Sequence, residues 1–68
     1  MKADCPTDLW RLVTVSPVTI ENLFFVDEVT SLDELCHLDE SALVAKGYSF
    51  VEIQRIKYEL AQLDRRLA

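Results

Sequence analysis

The chain has 68 residues, of which half are apolar and 28% are charged. This length allows one compact domain, because a chain of about 60 residues buries only about 60% of the surface that it exposes when unfolded. Twelve acidic and seven basic residues give a net charge of −5. That balance disfavours nucleic acid as the main partner, because affinity for phosphates comes mostly from Lys and Arg. One glycine and two prolines argue against disorder and against a turn-rich β-sandwich, so a mostly helical fold is expected.

Cysteine content and the N-terminal sequence indicate the compartment. Cys5 and Cys36 are too few for a disulfide scaffold and lack C-x-x-C spacing, which is typical of a reducing compartment. Residues 1–6 contain no apolar run that could form a signal-peptide core, and no stretch approaches the roughly 18 apolar residues of a membrane span. The sequence therefore predicts a cytoplasmic protein, or a nuclear one in a eukaryotic host. It also predicts a flexible N-terminus over residues 1–6 and a single helical domain over residues 7–68.

Two start signals predict two helices in the first third of the chain. Thr7 is a typical N-cap, and it is followed by Asp8 in the first turn and by apolar residues at positions 9, 12 and 13. At Ser16-Pro17, Ser can cap the first amides, and Pro at the first helical position gives up only an amide that has no partner there. Apolar residues at 20, 23 and 24 continue this second helix. A strand over residues 12–15 is the alternative to loop, because Val13 and Val15 are β-branched, although an isolated strand has no obvious partner.

Three further helices are predicted in the second half. Ser31 and Glu34 match the capping box S-x-x-E, and Asp39 is the predicted cap of a short fourth helix that ends at Gly47 in a left-handed turn. Ser49 begins a second capping box, after which apolar residues recur every three or four positions from 50 to 67. The predicted fold class is therefore all-α: a small single-domain bundle of about five helices with a long C-terminal amphipathic helix.

The sequence offers little material for catalysis or for a metal site. Cys36 and His37 are the only pair of soft ligands, and adjacent helical residues point about 100° apart, so they cannot hold one zinc ion without ligands from elsewhere. Cys36 is predicted to lie on the core side of its helix, and His37 to face solvent. One glycine excludes a Gly-rich phosphate loop. The sequence thus predicts no enzyme, no cofactor and no metal site.

Charge is distributed unevenly along the chain. Residues 1–45 contain nine acidic and two basic residues, a net charge of −7, whereas residues 46–68 contain five basic and three acidic residues, a net charge of +2. The acidic residues of the middle segment lie near predicted helix starts, where carboxylates stabilise the helix dipole, but they also form a candidate binding surface for a basic partner. This predicted acidic surface consists of Asp27, Glu28, Asp33, Glu34, Asp39 and Glu40.

The order of motifs resembles the sterile alpha motif (SAM) domain. That family has an aromatic residue and a Phe four apart before an Ile, then Leu-Leu-x-Leu, Thr-Glu-Glu-Asp-Leu, and Leu-Gly-Ile before a long helix. The corresponding residues here are Ile20, Phe24, Val29, Leu35-Cys36-His37-Leu38, Asp39-Glu40-Ser41-Ala42-Leu43 and Gly47-Tyr48. The usual Trp-Leu spacing of the first helix is absent, and Ser49-Phe50-Val51-Glu52 replaces the Gly-His-Arg that often opens the last helix.

The SAM resemblance implies a five-helix bundle that associates with proteins. Such association is often head-to-tail, between an acidic mid-chain surface and a surface around the start of the last helix. In this chain the second surface would consist of Lys46, Tyr48, Phe50, Arg55 and Lys57.

A second resemblance concerns the helix-turn-helix of MerR-like regulators. Residues 8–20 are similar to a segment that ends Gly-Val-Ser-x-x-Thr-Val in that family, and residues 47–53 resemble its Gly-Phe-Ser-Leu-x-Glu-Ile. Bulky Trp10 stands where the packing needs Ala, Thr14 stands where the turn needs Gly, and the would-be recognition helix offers Glu21 and Asn22 but no Arg or Lys. The departures disfavour DNA reading more than protein binding.

The sequence therefore predicts a non-enzymatic protein–protein interaction module. It would act as an adaptor or inhibitor through its acidic surface, with head-to-tail self-association as one mode. The expected partner is another protein with a basic surface, or a second copy of the chain, rather than nucleic acid or a membrane. The alternative is a small MerR-like DNA-binding transcriptional regulator, or a degenerate relative of that family that binds protein.

Overall fold

A computed structural model describes residues 6–68, which form one 3₁₀ helix and four α-helices and contain no β-strand. The all-α prediction is confirmed, and the first element is a 3₁₀ helix. Residues 12–15, for which a strand was the alternative, form a loop. Of the N-terminus predicted to be flexible, residues 1–5 lie outside the described part of the chain. The elements are the 3₁₀ helix Asp8–Arg11, α1 Pro17–Phe25, α2 Leu32–Leu35, α3 Glu40–Ala45 and α4 Phe50–Gln62.

Each helix begins at the N-cap residue that the sequence predicts. The side-chain oxygen of every cap accepts a backbone N–H of the first turn, at 2.8 to 3.3 Å, which satisfies a donor that the helix leaves open. At α4 the capping box is complete, because the Glu52 carboxylate also accepts the N–H of Ser49 at 2.8 Å. The caps are Thr7, Ser16, Ser31, Asp39 and Ser49.

The capping box predicted at α2 forms only in part. Ser31 Oγ accepts the N–H of Glu34 as expected. The Glu34 carboxylate, however, accepts the N–H and the hydroxyl of Thr30, at 2.7 and 2.9 Å, instead of the N–H of Ser31. Thr30 offers two donors to one carboxylate oxygen, whereas the backbone of Ser31 would offer one.

A left-handed residue follows the C-cap of both α3 and α4. Gly47, with φ of 99°, ends α3 as predicted, and the N–H of Tyr48 returns to the carbonyl of Leu43 at 3.1 Å. Asp64, with φ of 57°, has the same role after α4, where the N–H of Arg65 donates to the carbonyl of Leu60 at 2.8 Å. Helix α4 therefore ends at Gln62, so the prediction that it continues to position 67 is wrong.

The residues after α4 turn back onto the body of the fold. The N–H of Ala68 donates to the carbonyl of Leu38 at 2.9 Å, just beyond the end of α2. Leu63 and Leu67, which continue the apolar spacing of the sequence, pack against the core, and both lie beyond the helix itself. The apolar period correctly placed positions 53, 56, 60, 63 and 67 in or against the core, but it also included exposed Phe50 and overestimated the length of the helix.

One apolar core joins all five elements. On α4 its members are Ile53, Ile56 and Leu60, which recur at intervals of three and four residues and have at most 1% of their surface exposed. Ten further buried residues come from the other elements and from the loops between them: Leu9, Leu12, Val15, Ile20, Leu23, Val29, Leu32, Leu35, Leu43 and Tyr48.

Substitution of Leu60 should test the packing of α4. We expect Leu60→Ala to lower the free energy of unfolding by about 2 to 5 kcal/mol, because it removes buried methyl groups and leaves a cavity. Val44→Ala, which truncates an exposed apolar residue of α3, is the matched control and should change the free energy by less than about 0.5 kcal/mol. Urea unfolding followed by circular dichroism measures both values, and equal effects of the two variants would contradict this packing.

Candidate interaction surface

Most carboxylates of the predicted acidic surface already have partners within the chain. Asp33 accepts a hydrogen bond from Arg65 Nη1 at 2.5 Å, and Glu40 forms an ion pair with Lys57. Asp39 caps α3 by accepting the N–H of Ala42 at 2.8 Å. These three side chains therefore have structural roles, and exposed ion pairs of this kind contribute about 0.2 to 1 kcal/mol each.

The remaining three acidic residues differ from one another. The donors on Thr30, its backbone N–H first, hold the pKa of Glu34 below its ordinary value, because they favour the charged carboxylate. Asp27 lies just beyond the C-cap of α1 and accepts the hydroxyl hydrogen bond of Tyr48 at 2.5 Å. Glu28, with φ of 58°, is exposed and has no hydrogen bond or ion pair to another described residue. Of the six, only Glu28 is left without a partner in the described chain.

The basic residues near the start of α4 are neighbours of the acidic residues rather than a separate pole. Lys46 Nζ lies 4.0 Å from Asp27 Oδ1, and Lys57 pairs with Glu40. Arg55 is exposed and has no ion pair within the described residues. Residues of the two predicted surfaces therefore pair with each other, and Arg55 is left as the unpaired cation of this set.

Tyr48 belongs to the core and not to an accessible surface. Only 6% of its surface is exposed, and its hydroxyl donates to Asp27 while it accepts the Asn22 amide Nδ2–H at 2.9 Å. Burial, reinforced by the hydrogen bond to Asp27, raises the pKa of Tyr48 far above its ordinary value. The prediction of Tyr48 as a partner-binding residue is therefore corrected, because its ring is buried and a partner cannot reach it.

The outward face of α4 carries large apolar side chains that no other described element covers. Phe50, Val51 and Tyr58 have 72%, 66% and 60% of their surfaces exposed. Together with Gln54 and Arg55 they line a shallow groove of about 430 Å³ along one side of the helix. Phe50 and Arg55 were predicted from the sequence, whereas Val51, Gln54 and Tyr58 were missed. For Val51 and Tyr58 the signal was an apolar residue in α4 that falls outside the core period, whereas polar Gln54 gave no such signal.

Both carboxylates of α4 point away from this groove. Glu52 accepts the hydroxyl of buried Thr19 on α1 at 2.7 Å, and Glu59, with 5% of its surface exposed, accepts the hydroxyl of Thr14 at 2.6 Å. The Ser49 N–H and then the Thr19 hydroxyl hold the pKa of Glu52 below its ordinary value. The groove is therefore apolar with one cation beside it and no carboxylate among its lining residues.

The two candidate metal ligands, Cys36 and His37, differ in burial. Cys36 is half-buried against the core, in line with its prediction, and His37 is exposed. Among residues 6–68 no three His, Cys, Asp or Glu side chains come together as a metal site. Cys5 lies outside these residues.

Comparison with protein-family models, with curated proteins and with solved structures finds no match to this chain. Within residues 6–68, none of the helices has the length and apolar character needed to cross a membrane.

Removal of the Tyr48 hydroxyl should measure the contribution of its two hydrogen bonds. We expect Tyr48→Phe to lower the free energy of unfolding by about 1 to 3 kcal/mol, because partly buried Asp27 and Asn22 lose their partner. Tyr58→Phe makes the same chemical change at an exposed position and should be nearly neutral. Urea unfolding of both variants gives the values, and a neutral Tyr48→Phe would contradict the hydrogen-bonded arrangement.

Glu52 should make the stability of the fold depend on acid pH. A carboxyl with a lowered pKa in the folded state adds stability that is present above its ordinary pKa of 4.5 and is lost as pH falls through the folded pKa. We therefore expect wild-type protein to lose more unfolding free energy than Glu52→Gln between about pH 6 and pH 3, because the variant has no titratable side chain at position 52. Urea unfolding across that range measures the difference, and parallel losses in the two proteins would contradict this role of Glu52.

Proposed function

We propose that this chain is a non-enzymatic protein–protein interaction module, an adaptor or inhibitor, and that it binds its partner through the outward face of α4. The observation that carries the proposal is the contiguous exposure of Phe50, Val51 and Tyr58 beside unpaired Arg55. Single exposed apolar residues are ordinary on protein surfaces, whereas apolar residues grouped along one groove are typical of binding sites. Aromatic residues and Arg are also the types that most often dominate binding energy.

This surface on α4 is not the mid-chain acidic surface that the distribution of charge predicts. Three of the six mid-chain acidic residues, Asp27, Asp33 and Glu40, already form ion pairs within the chain, so the apolar face of α4 supports binding better than they do. The SAM resemblance also implies binding near the start of the last helix, which is where Phe50 lies. We place the interaction in the cytoplasm or nucleus, in keeping with the cysteine content.

Head-to-tail self-association is one form that the interaction could take. Its electrostatic part would depend on Arg55, because Lys46 and Lys57 already pair with Asp27 and Glu40. Sedimentation velocity at about 20 mM and 500 mM salt separates the cases, since attraction between exposed charges is screened at high salt. Growth in mass at low salt would identify a second copy of the chain as the partner. A monomer at both salt concentrations would indicate that the partner is a different protein.

The alternative of a MerR-like DNA reader receives little support from charge. Helix α1, which would be the recognition helix, contains Glu21 and Asn22 and no basic residue. Titration with duplex DNA at low salt tests this alternative. Binding below micromolar concentration with a steep salt dependence would favour the regulator over the interaction module.

A charge placed in the groove should abolish partner binding without unfolding the domain. We expect Val51→Glu to lose the proteins that wild-type chain captures from cell extract, because burying the new carboxylate against an apolar partner is unfavourable. Val44→Glu is the matched control, since Val44 is 62% exposed on α3 and does not line the groove. Quantitative mass spectrometry compares the captured sets, with circular dichroism as the folding check. Loss of the same proteins from both variants, or from neither, would contradict the proposed surface.

A further inference from the structure

We infer that residues 63–68, here called the strap, have two conformations and that the change between them controls access to Cys36. In the closed conformation, which the structure shows, the strap lies against α2 and the loop that follows it. In the open conformation the strap leaves α2 and continues α4 as a helix. No residue of the strap lines the groove on α4, so this inference is independent of the proposed function.

Few contacts hold the strap in its closed conformation. The N–H of Ala68 donates to the carbonyl of Leu38 at 2.9 Å. Arg65 Nη1 donates to Asp33 Oδ1 at 2.5 Å, but 78% of the Asp33 side chain is exposed, and ion pairs at the surface add little stability. Leu67 packs against the core and, like the rest of the strap, is not fully buried. Segments held in this way open at a lower free energy than the core, so the strap should open first.

Helix α2 keeps its other contacts when the strap opens. Ser31 Oγ accepts the N–H of Glu34 at 3.2 Å, and Asp8 Oδ1 accepts the N–H of Leu32 at 2.8 Å. Leu32 and Leu35 are also fully buried in the core. None of these contacts involves the strap, so the strap can leave α2 while the rest of the domain stays folded.

The sequence of the strap favours the open conformation locally. Asp64 has a φ of 57° in the closed strap, in the left-handed region that only Gly adopts without steric cost. Leu63 and Leu67 follow Leu60 at helical intervals of three and four, and residues 63–68 contain no Gly or Pro. A local preference that opposes the observed conformation narrows the free-energy gap between the two states.

Cys36 is the thiol beside the closed strap. Its side chain is half-buried and packs against the core. The Asp33 carboxylate first, and the Cys36 sulfur to a smaller extent, raise the pKa of Arg65 above its ordinary value, because both favour the charged guanidinium. Arg65 therefore lies next to this sulfur and moves away with the strap, so the reactivity of Cys36 reports opening.

Substitution of Asp64 tests the two conformations. Asp64→Gly should favour the closed strap, because Gly adopts a positive φ freely, whereas Asp64→Ala should favour the helix. In a chain that also carries Cys5→Ser, Cys36 is the only thiol, and mass spectrometry follows its alkylation by iodoacetamide. We expect alkylation to be at least about tenfold faster in Asp64→Ala than in Asp64→Gly, with wild-type residue 64 between them. Cα chemical shifts of residues 63–67 should be more helical in Asp64→Ala.

Glu28 provides the matched control. It is the other non-glycine residue with a positive φ in the described chain, at 58°, and it lies outside the strap. Glu28→Gly and Glu28→Ala should differ in Cys36 alkylation by less than about twofold, and urea unfolding shows whether all four variants are folded. The same ratio at both positions would mean that Cys36 reacts through unfolding of the whole domain, which would overturn the inference. Equal alkylation of the two Asp64 variants, or Cα shifts that stay non-helical in Asp64→Ala, would overturn it as well.

Discussion

The fold depends on end-capping of helices that are too short to persist alone. Isolated helices below about 12 to 15 residues are marginal in water, and α2 and α3 have four and six residues. Distant segments add contacts to these caps: Asp8 Oδ1 accepts the N–H of Leu32 at the start of α2 at 2.8 Å, and Ala68 donates to the carbonyl of Leu38 in the loop between α2 and α3. The two ends of the described chain thus hold α2 in place, so α2 cannot form independently of the whole fold.

Polar contacts between elements complete this arrangement and determine which charges remain at the surface. Thr19 and Thr14 bind the two carboxylates of α4, while Tyr48 joins Asp27 to the fold. The hydroxyls of Thr19 and Tyr48 belong to buried residues and would otherwise lose a hydrogen bond on burial, whereas Thr14 is exposed and its contact serves buried Glu59. The groove on the outward side of α4 consequently has Arg55 and no carboxylate among its lining residues. The same hydrogen bonds therefore stabilise the fold and determine where its carboxylates lie.

The sequence predicted what is local and missed what depends on distant contacts. N-caps such as Ser16 and Ser49 act over two or three residues, so their residue types indicated every helix start. The end of α4 was missed because Asp64, rather than Gly, takes the left-handed conformation. Pairing of Glu40 with Lys57 joins residues 17 apart in sequence, which no local pattern shows.

The same limit explains the changes to the predicted binding residues. Arg55 lies outside the core period of α4, so its exposure followed from helical geometry, whereas Phe50 falls on that period and is nevertheless exposed at the first position of the helix. Tyr48 precedes the helix, where the apolar period gives no direction, and its hydroxyl allows burial by binding Asp27 and Asn22. The inward face of α4 is fixed by the core, so its outward face is already ordered before a partner arrives. A partner would therefore lose less free energy to ordering this surface than to ordering a flexible loop.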